Sequence, residues 1–141
     1  MQRKIMMDLI SWKKSHRRKP LILMGARQVG KTWILKEFGR SFNRCLYINF
    51  DKDNDYSELF ERTKDVRRLI EQLSLVSGIV VNEDTLIILD EIQECQAALG
   101  SLKYFYEDMP EVYIAAAGSL LGLSLSKGFR LERLIYYQCI L

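Results

Sequence analysis

Gly25-Ala26-Arg27-Gln28-Val29-Gly30-Lys31-Thr32 fills every fixed position of the pattern G-x-x-x-x-G-K-S/T, the Walker A loop. Apolar Leu21-Ile22-Leu23-Met24 precedes it and a helix-compatible run, Trp33 to Phe38, follows, which is the strand–loop–helix setting the pattern requires. A nucleoside triphosphate carries several negative charges that must be held without full neutralisation. Successive backbone N–H groups in a tight turn form an anion-binding concavity, and the following helix adds the positive end of its dipole. Gly25 and Gly30 stand where the chain needs backbone angles a Cβ opposes and where phosphate oxygens come close. Lys31 is expected to reach the β- and γ-phosphates, and Thr32 to offer its hydroxyl to a bridging Mg2+. The expected nucleotide-binding set is therefore Gly25, Ala26, Arg27, Gln28, Val29, Gly30, Lys31, Thr32 and Trp33. Arg27 reads either as a solvated surface charge or as a contact to phosphate or an acidic partner.

A second apolar run, Leu86-Ile87-Ile88-Leu89, ends in Asp90-Glu91, the pattern of a Walker B strand. Asp90 is expected at the carboxyl edge of the sheet, holding Mg2+ largely through water, because this ion keeps much of its hydration. Glu91 directly follows. It occupies the position of a base that orients and deprotonates an attacking water, a role typically worth ~10²–10⁴ in rate. The pair favours hydrolysis over phosphate transfer to a small metabolite. A third buried strand, Val112-Tyr113-Ile114-Ala115-Ala116-Ala117, leads into Gly118-Ser119. Ser119 has two readings at this stage: a polar sensor of the attacking water or γ-phosphate, or a helix N-cap before Leu120-Leu121.

With 141 residues the chain is one domain at most, large enough for a real core but small for an α/β sheet protein. A formal charge of +3 and a pI of about 8.8 are only mildly basic. Cys45, Cys95 and Cys139 show no paired spacing and read as buried or incidental thiols rather than a disulfide or zinc framework. No apolar run approaches the ~20 residues of a membrane helix, and the N-terminus lacks the continuous apolar region of a signal peptide. A cytoplasmic location is expected.

Ile5, Leu9 and Trp12 recur at helical spacing and predict an amphipathic first helix. Lys13, Lys14, His16, Arg17, Arg18 and Lys19 form a basic cluster before Pro20, either a solvated linker or a contact for nucleic acid or an acidic partner. Leu46 to Phe50 reads as a strand. Tyr56, Leu59, Phe60, Val66, Leu69, Ile70 and Leu73 give an apolar helical stripe with a break near Arg62 to Lys64. Leu99, Leu102, Phe105 and Tyr106 mark a further helix, with Pro110 beyond its end. Strands alternating with helices argue for an α/β fold with a parallel sheet, and all three candidate site segments follow strands.

These segments resemble a family of prokaryotic AAA-type P-loop ATPases whose full members carry an extra C-terminal domain. The resemblance is carried by GARQVGKT after Lys19-Pro20-Leu21, then by Tyr47-Ile48-Asn49-Phe50-Asp51. Leu89-Asp90-Glu91-Ile92-Gln93 and Ala116-Ala117-Gly118-Ser119-Leu120-Leu121-Gly122 complete it, so that it spans about Arg3 to Ser126. It implies a three-layer P-loop NTPase, mostly parallel, with strand order 5-1-4-3-2 and the Ser119 strand between the two Walker strands. It further implies ATP as ligand, Mg2+ as metal and ATP hydrolysis as the reaction. Self-association or an unidentified protein partner accompanies that reading, while nucleic acid has little support in the sequence.

The resemblance divides the chain into an incomplete ATP-binding core, 1–127, and a divergent tail, 128–141. Relatives continue with something like Phe-Pro-Val-Gly-Lys-Val and a later Tyr-Pro. Codons can be chosen for Gly128 to Leu141 so that the shifted frame reads Phe-Ser-Val-Gly-Lys-Val-Asp-Leu-Leu-Pro-Met-Tyr-Pro, so truncation or a frameshift after about residue 127 is expected. The fifth strand is then either missing or replaced by apolar tail residues among Leu134 to Leu141. An arginine finger and a later sensor arginine are not assignable. Two other readings stand beside hydrolysis: a nucleotide-binding or assembly module without turnover, and a non-functional remnant.

Overall fold

A computed structural model describes residues 2–16, 18–25, 30–119 and 135–139. Helix α1 (Gln2–Lys14) leads into strand β1 (Leu21–Gly25), and α2 (Lys31–Gly39) into β2 (Arg44–Asn49). Helices α3 (Asn54–Arg62) and α4 (Val66–Ser77) precede β3 (Thr85–Asp90), and a 3-10 turn (Ile92–Glu94) precedes α5 (Gln96–Asp108). Strands β4 (Tyr113–Ser119) and β5 (Ile135–Cys139) complete a five-stranded sheet in the order β2-β3-β4-β1-β5, with every pair parallel. This is the 5-1-4-3-2 order the resemblance implies. The slot beside β1 is filled by the backbone of the tail, Leu21 opposite Ile135 and Gly25 opposite Cys139.

Alternation along each strand divides the core into two layers. Ile22, Met24, Leu46, Ile48, Ile87, Leu89, Ile114 and Ala116 face α3, α4 and α5, whose Leu59, Leu69, Leu73, Leu102 and Phe105 pack on them. Leu21, Leu23, Leu86, Ile88, Ala115 and Ala117 face the other way, onto Ile5, Leu9 and Trp12 of α1 and Ile34, Leu35 and Phe38 of α2. Helices thus cover both faces, as a parallel sheet requires, because its strands are apolar on both sides.

The long apolar stripe resolves into two helices for a local reason. Asp65 accepts from the Arg67 and Arg68 amides at 3.1 and 3.4 Å, capping α4 and separating it from α3, which ends at Arg62. The basic cluster is structural in part. Lys13 donates to the Ser41 carbonyl at 2.7 Å, and Arg18 donates to the Glu111 carbonyl at 2.8 Å while lying 3.6 Å over the Tyr113 ring. With Trp12 Nε1 donating to the Lys19 carbonyl, these cations tie α1 to the amino-terminal edge of the sheet, so neither a free linker nor a purely ligand-facing patch describes them. Arg17 lies outside the described residues.

Candidate functional site

The carboxyl edges of β1, β3 and β4 meet at one place, because parallel strands end on the same side. Gly25 closes β1 opposite Ser119 of β4, and Asp90 closes β3 opposite Asn49 of β2. Gly30 takes φ 87 and ψ 15, a left-handed conformation open to glycine, and starts α2 by accepting the Ile34 amide at 3.0 Å. Lys31 is only 7% exposed. Its ammonium donates to the Gly25 carbonyl at 3.0 Å, which holds the side chain back against the end of β1. Ala26, Arg27, Gln28 and Val29 lie outside the described residues, as does the capping role considered for Ser119 before Leu120-Leu121.

Thr32 brings the two motif segments into contact: its Oγ1 donates to Asp90 Oδ2 at 2.6 Å. The same oxygen accepts the Tyr47 hydroxyl at 2.5 Å, and Asp90 Oδ1 accepts the Glu91 amide at 2.9 Å. A carboxylate 2% exposed thereby has donors from α2, from β2 and from its own turn. Burial, reinforced by the bond to Asp90, pushes the Tyr47 hydroxyl well above the ordinary tyrosine range, so it remains a donor at any physiological pH. Lys36 lies 4.1 Å over its ring.

Glu91 adopts φ 53 and ψ 45, the only positive φ among the described non-glycine residues. Left-handed backbone in a residue with a Cβ is unfavourable and persists where the surroundings over-determine it, commonly at functional sites. Here the turn is fixed by Glu94 and Cys95 amides donating to the Glu91 and Ile92 carbonyls at 3.0 and 3.1 Å, and Ile92 is fully buried. Gln93 donates to Glu91 Oε2 at 2.7 Å and accepts the Ser119 amide at 3.4 Å. The sequence-predicted Lys31, Thr32, Asp90, Glu91 and Ser119 are thus collected at one edge, while Trp33 points away from the core, 55% exposed. Tyr47 and Gln93 were not singled out as site residues from sequence. The available signal was Tyr47 alternating with Asn49 in the otherwise apolar run Leu46 to Phe50, and a Gln three residues after Asp90.

The donor set fits a magnesium-bound phosphate. It offers one buried carboxylate already paired with a hydroxyl from the first turn of a helix, with a buried lysine held at the same sheet edge, and Mg2+ is typically bound by one or two carboxylates plus phosphates. Among the described residues no group of three or more His, Cys, Asp or Glu gathers, an arrangement such an ion does not need.

Sheet order, loop setting and edge together define a nucleotide-binding core of the P-loop ATPase type. Within that class the chain belongs to a family of AAA domains, whose model matches residues 17–133. Among solved structures, a Walker-type ATPase of Pyrococcus abyssi aligns with a TM-score of 0.59 at 15% identity, over 99% of this chain and 54% of that one. PCH-2 of C. elegans aligns at 0.56 and 14% identity over 97% and 42%, and AMPPCP-bound DnaA of Aquifex aeolicus at 0.51 and 16% over 94% and 44%. At such identities the likeness is one of fold. The chain spans about half the length of these structures. No curated protein matches it in sequence. Among the described residues no helix is long and apolar enough to cross a membrane.

Proposed function

We propose that the chain binds ATP and hydrolyses it in a Mg2+-dependent reaction at the carboxyl edge of the sheet. The observation that carries this reading is the 2.6 Å bond from Thr32 to Asp90, which joins segments 58 positions apart in sequence. Gly25, Ala26, Arg27, Gln28, Val29 and Gly30 supply backbone amides to the phosphates, with Lys31 as the neutralising ammonium and Trp33 at the start of α2 beside them. Thr32 and Asp90 hold Mg2+, which when bound neutralises charge building up on the phosphates. Glu91 takes the proton of the attacking water, and Ser119 orients that water or the terminal phosphate from β4. ATP as the nucleotide rests on the family likeness and is supported by the AMPPCP-bound neighbour.

On this reading residues 1–127 form the ATP-binding core and 128–141 a divergent tail whose strand lies beside β1. The working compartment is the cytoplasm. Self-association or an unidentified protein partner supplies the arginine that related enzymes take in trans, worth ~10³–10⁵ in rate. Phosphate release from Mg-ATP, with Glu91→Gln alongside, tests the reading. The expected outcome is turnover in the wild type, loss of about 10²-fold or more in the variant, and a raised melting midpoint with Mg-ATP in both. Equal rates in both proteins would remove the hydrolase. A raised midpoint without phosphate release assigns binding without turnover, and no shift assigns a non-functional remnant.

A further inference from the structure

The Gln93 carboxamide touches two site residues, one just past the end of β3 and one at the end of β4, and each contact demands the same orientation. Its Nε2 donates to Glu91 Oε2 at 2.7 Å and its Oε1 accepts the Ser119 amide at 3.4 Å. Rotating the amide by half a turn would set oxygen against carboxylate and NH2 against N–H, so both ends reject the flipped form. The side chain reaches both partners because Glu91 is left-handed, which turns residues 91 and 93 to one side of a turn anchored by buried Ile92. Among the described residues Glu91 Oε1 holds no hydrogen bond, so the bond to Oε2 leaves one oxygen to receive a proton.

We infer that Gln93 is a positioning residue, holding the Glu91 carboxylate in one rotamer and tying its direction to the end of β4 at Ser119. This rests on the hydrolytic reading of the same site. Strand β4 lies between β3 and β1, so a displacement at Ser119 is transmitted to Glu91 through a single planar group. The role is one of aim: Gln93 neither binds nucleotide nor moves a proton.

Gln93→Ala and Gln93→Glu separate this from a merely structural part in the turn. Gln93→Glu keeps the shape and the acceptor for the Ser119 amide but sets a like charge against Glu91. The expected result is a fall in kcat of about 10- to 100-fold in both variants. KM for Mg-ATP should stay within about twofold and the melting midpoint of the full chain should be unchanged. In a Glu91→Gln background, Gln93→Ala is expected to add no further loss. Full activity in Gln93→Glu, or an undiminished extra loss in the Glu91→Gln background, would overturn the proposal.

A readout independent of turnover is the Gln93 side-chain NH2 pair in a nitrogen–proton correlation spectrum, assigned by its disappearance in Gln93→Ala. It is expected to lie away from the solvent-exposed position and to move on Glu91→Gln. An exposed-like pair unmoved by that substitution would overturn the link. If the wild type releases no phosphate, the hydrolase reading falls, and this resonance alone decides whether Gln93 holds Glu91.

Discussion

A buried carboxylate is unfavourable unless donors match its oxygens, and Asp90 takes one each from Thr32, Tyr47 and the Glu91 amide. Tyr47 is the member given no part in holding Mg2+ or activating water, which makes its contribution separable. Tyr47→Phe removes one hydrogen bond to a charged group and leaves the ring under Lys36 in place. It should lower stability by about 1.5–3 kcal/mol, read from the urea midpoint at constant slope, and an unchanged midpoint would show that Thr32 and the turn suffice. Thr32, Asp90 and Glu91 were legible in the sequence because each occupies a fixed offset within a local motif. Tyr47 and Gln93 were not, because their partners are set by strand register and by the left-handed turn at Glu91. The middle of the loop, Ala26 to Val29, is placed by sequence pattern alone.

Between helices and strands, packing depends on close approach at a few points. At the end of α2 a Cβ on Gly39 would lie 2.7 Å from Cys45 Sγ and 3.3 Å from Cys45 Cβ, with β2 directly beneath. Gly39→Ala is therefore expected to overpack this contact and lower stability by about 1–3 kcal/mol. Cys45→Ala removes the nearer atom, so the double variant should recover part of the loss in the same thermal melt. Additive losses would mean that the two residues do not meet. Most elements were legible because their apolar spacing is regular: Ile5, Leu9 and Trp12 gave α1, and Leu99, Leu102 and Phe105 gave α5. Boundaries moved where polar residues belong to a strand, as with Arg44 at the start of β2 and Ser119 at the end of β4. Those ends are decided by neighbouring strands, which a linear pattern does not contain.

For the whole molecule the decisive arrangement is β1, buried at every position and flanked by β4 and β5. The sheet order followed from the family likeness, whereas tail apolarity left open whether the slot beside β1 was filled. Alternate amides of an outer parallel strand face its neighbour, so prolines at two consecutive positions must delete at least one ladder bond. Tyr136→Pro combined with Tyr137→Pro should therefore uncover one side of an all-apolar strand, lower the melting midpoint and give oligomers in size-exclusion light scattering. A size and a midpoint both unchanged from the unsubstituted chain would show that β5 does not protect β1. The same arrangement bears on how the polypeptide acquires its shape. As the nascent chain emerges, Leu21 to Gly25 appear well before either of the strands they pair with, so they remain greasy and unmatched while the intervening segments are made. Until the distant strands arrive, a chaperone or the ribosome surface is the natural shelter for that stretch.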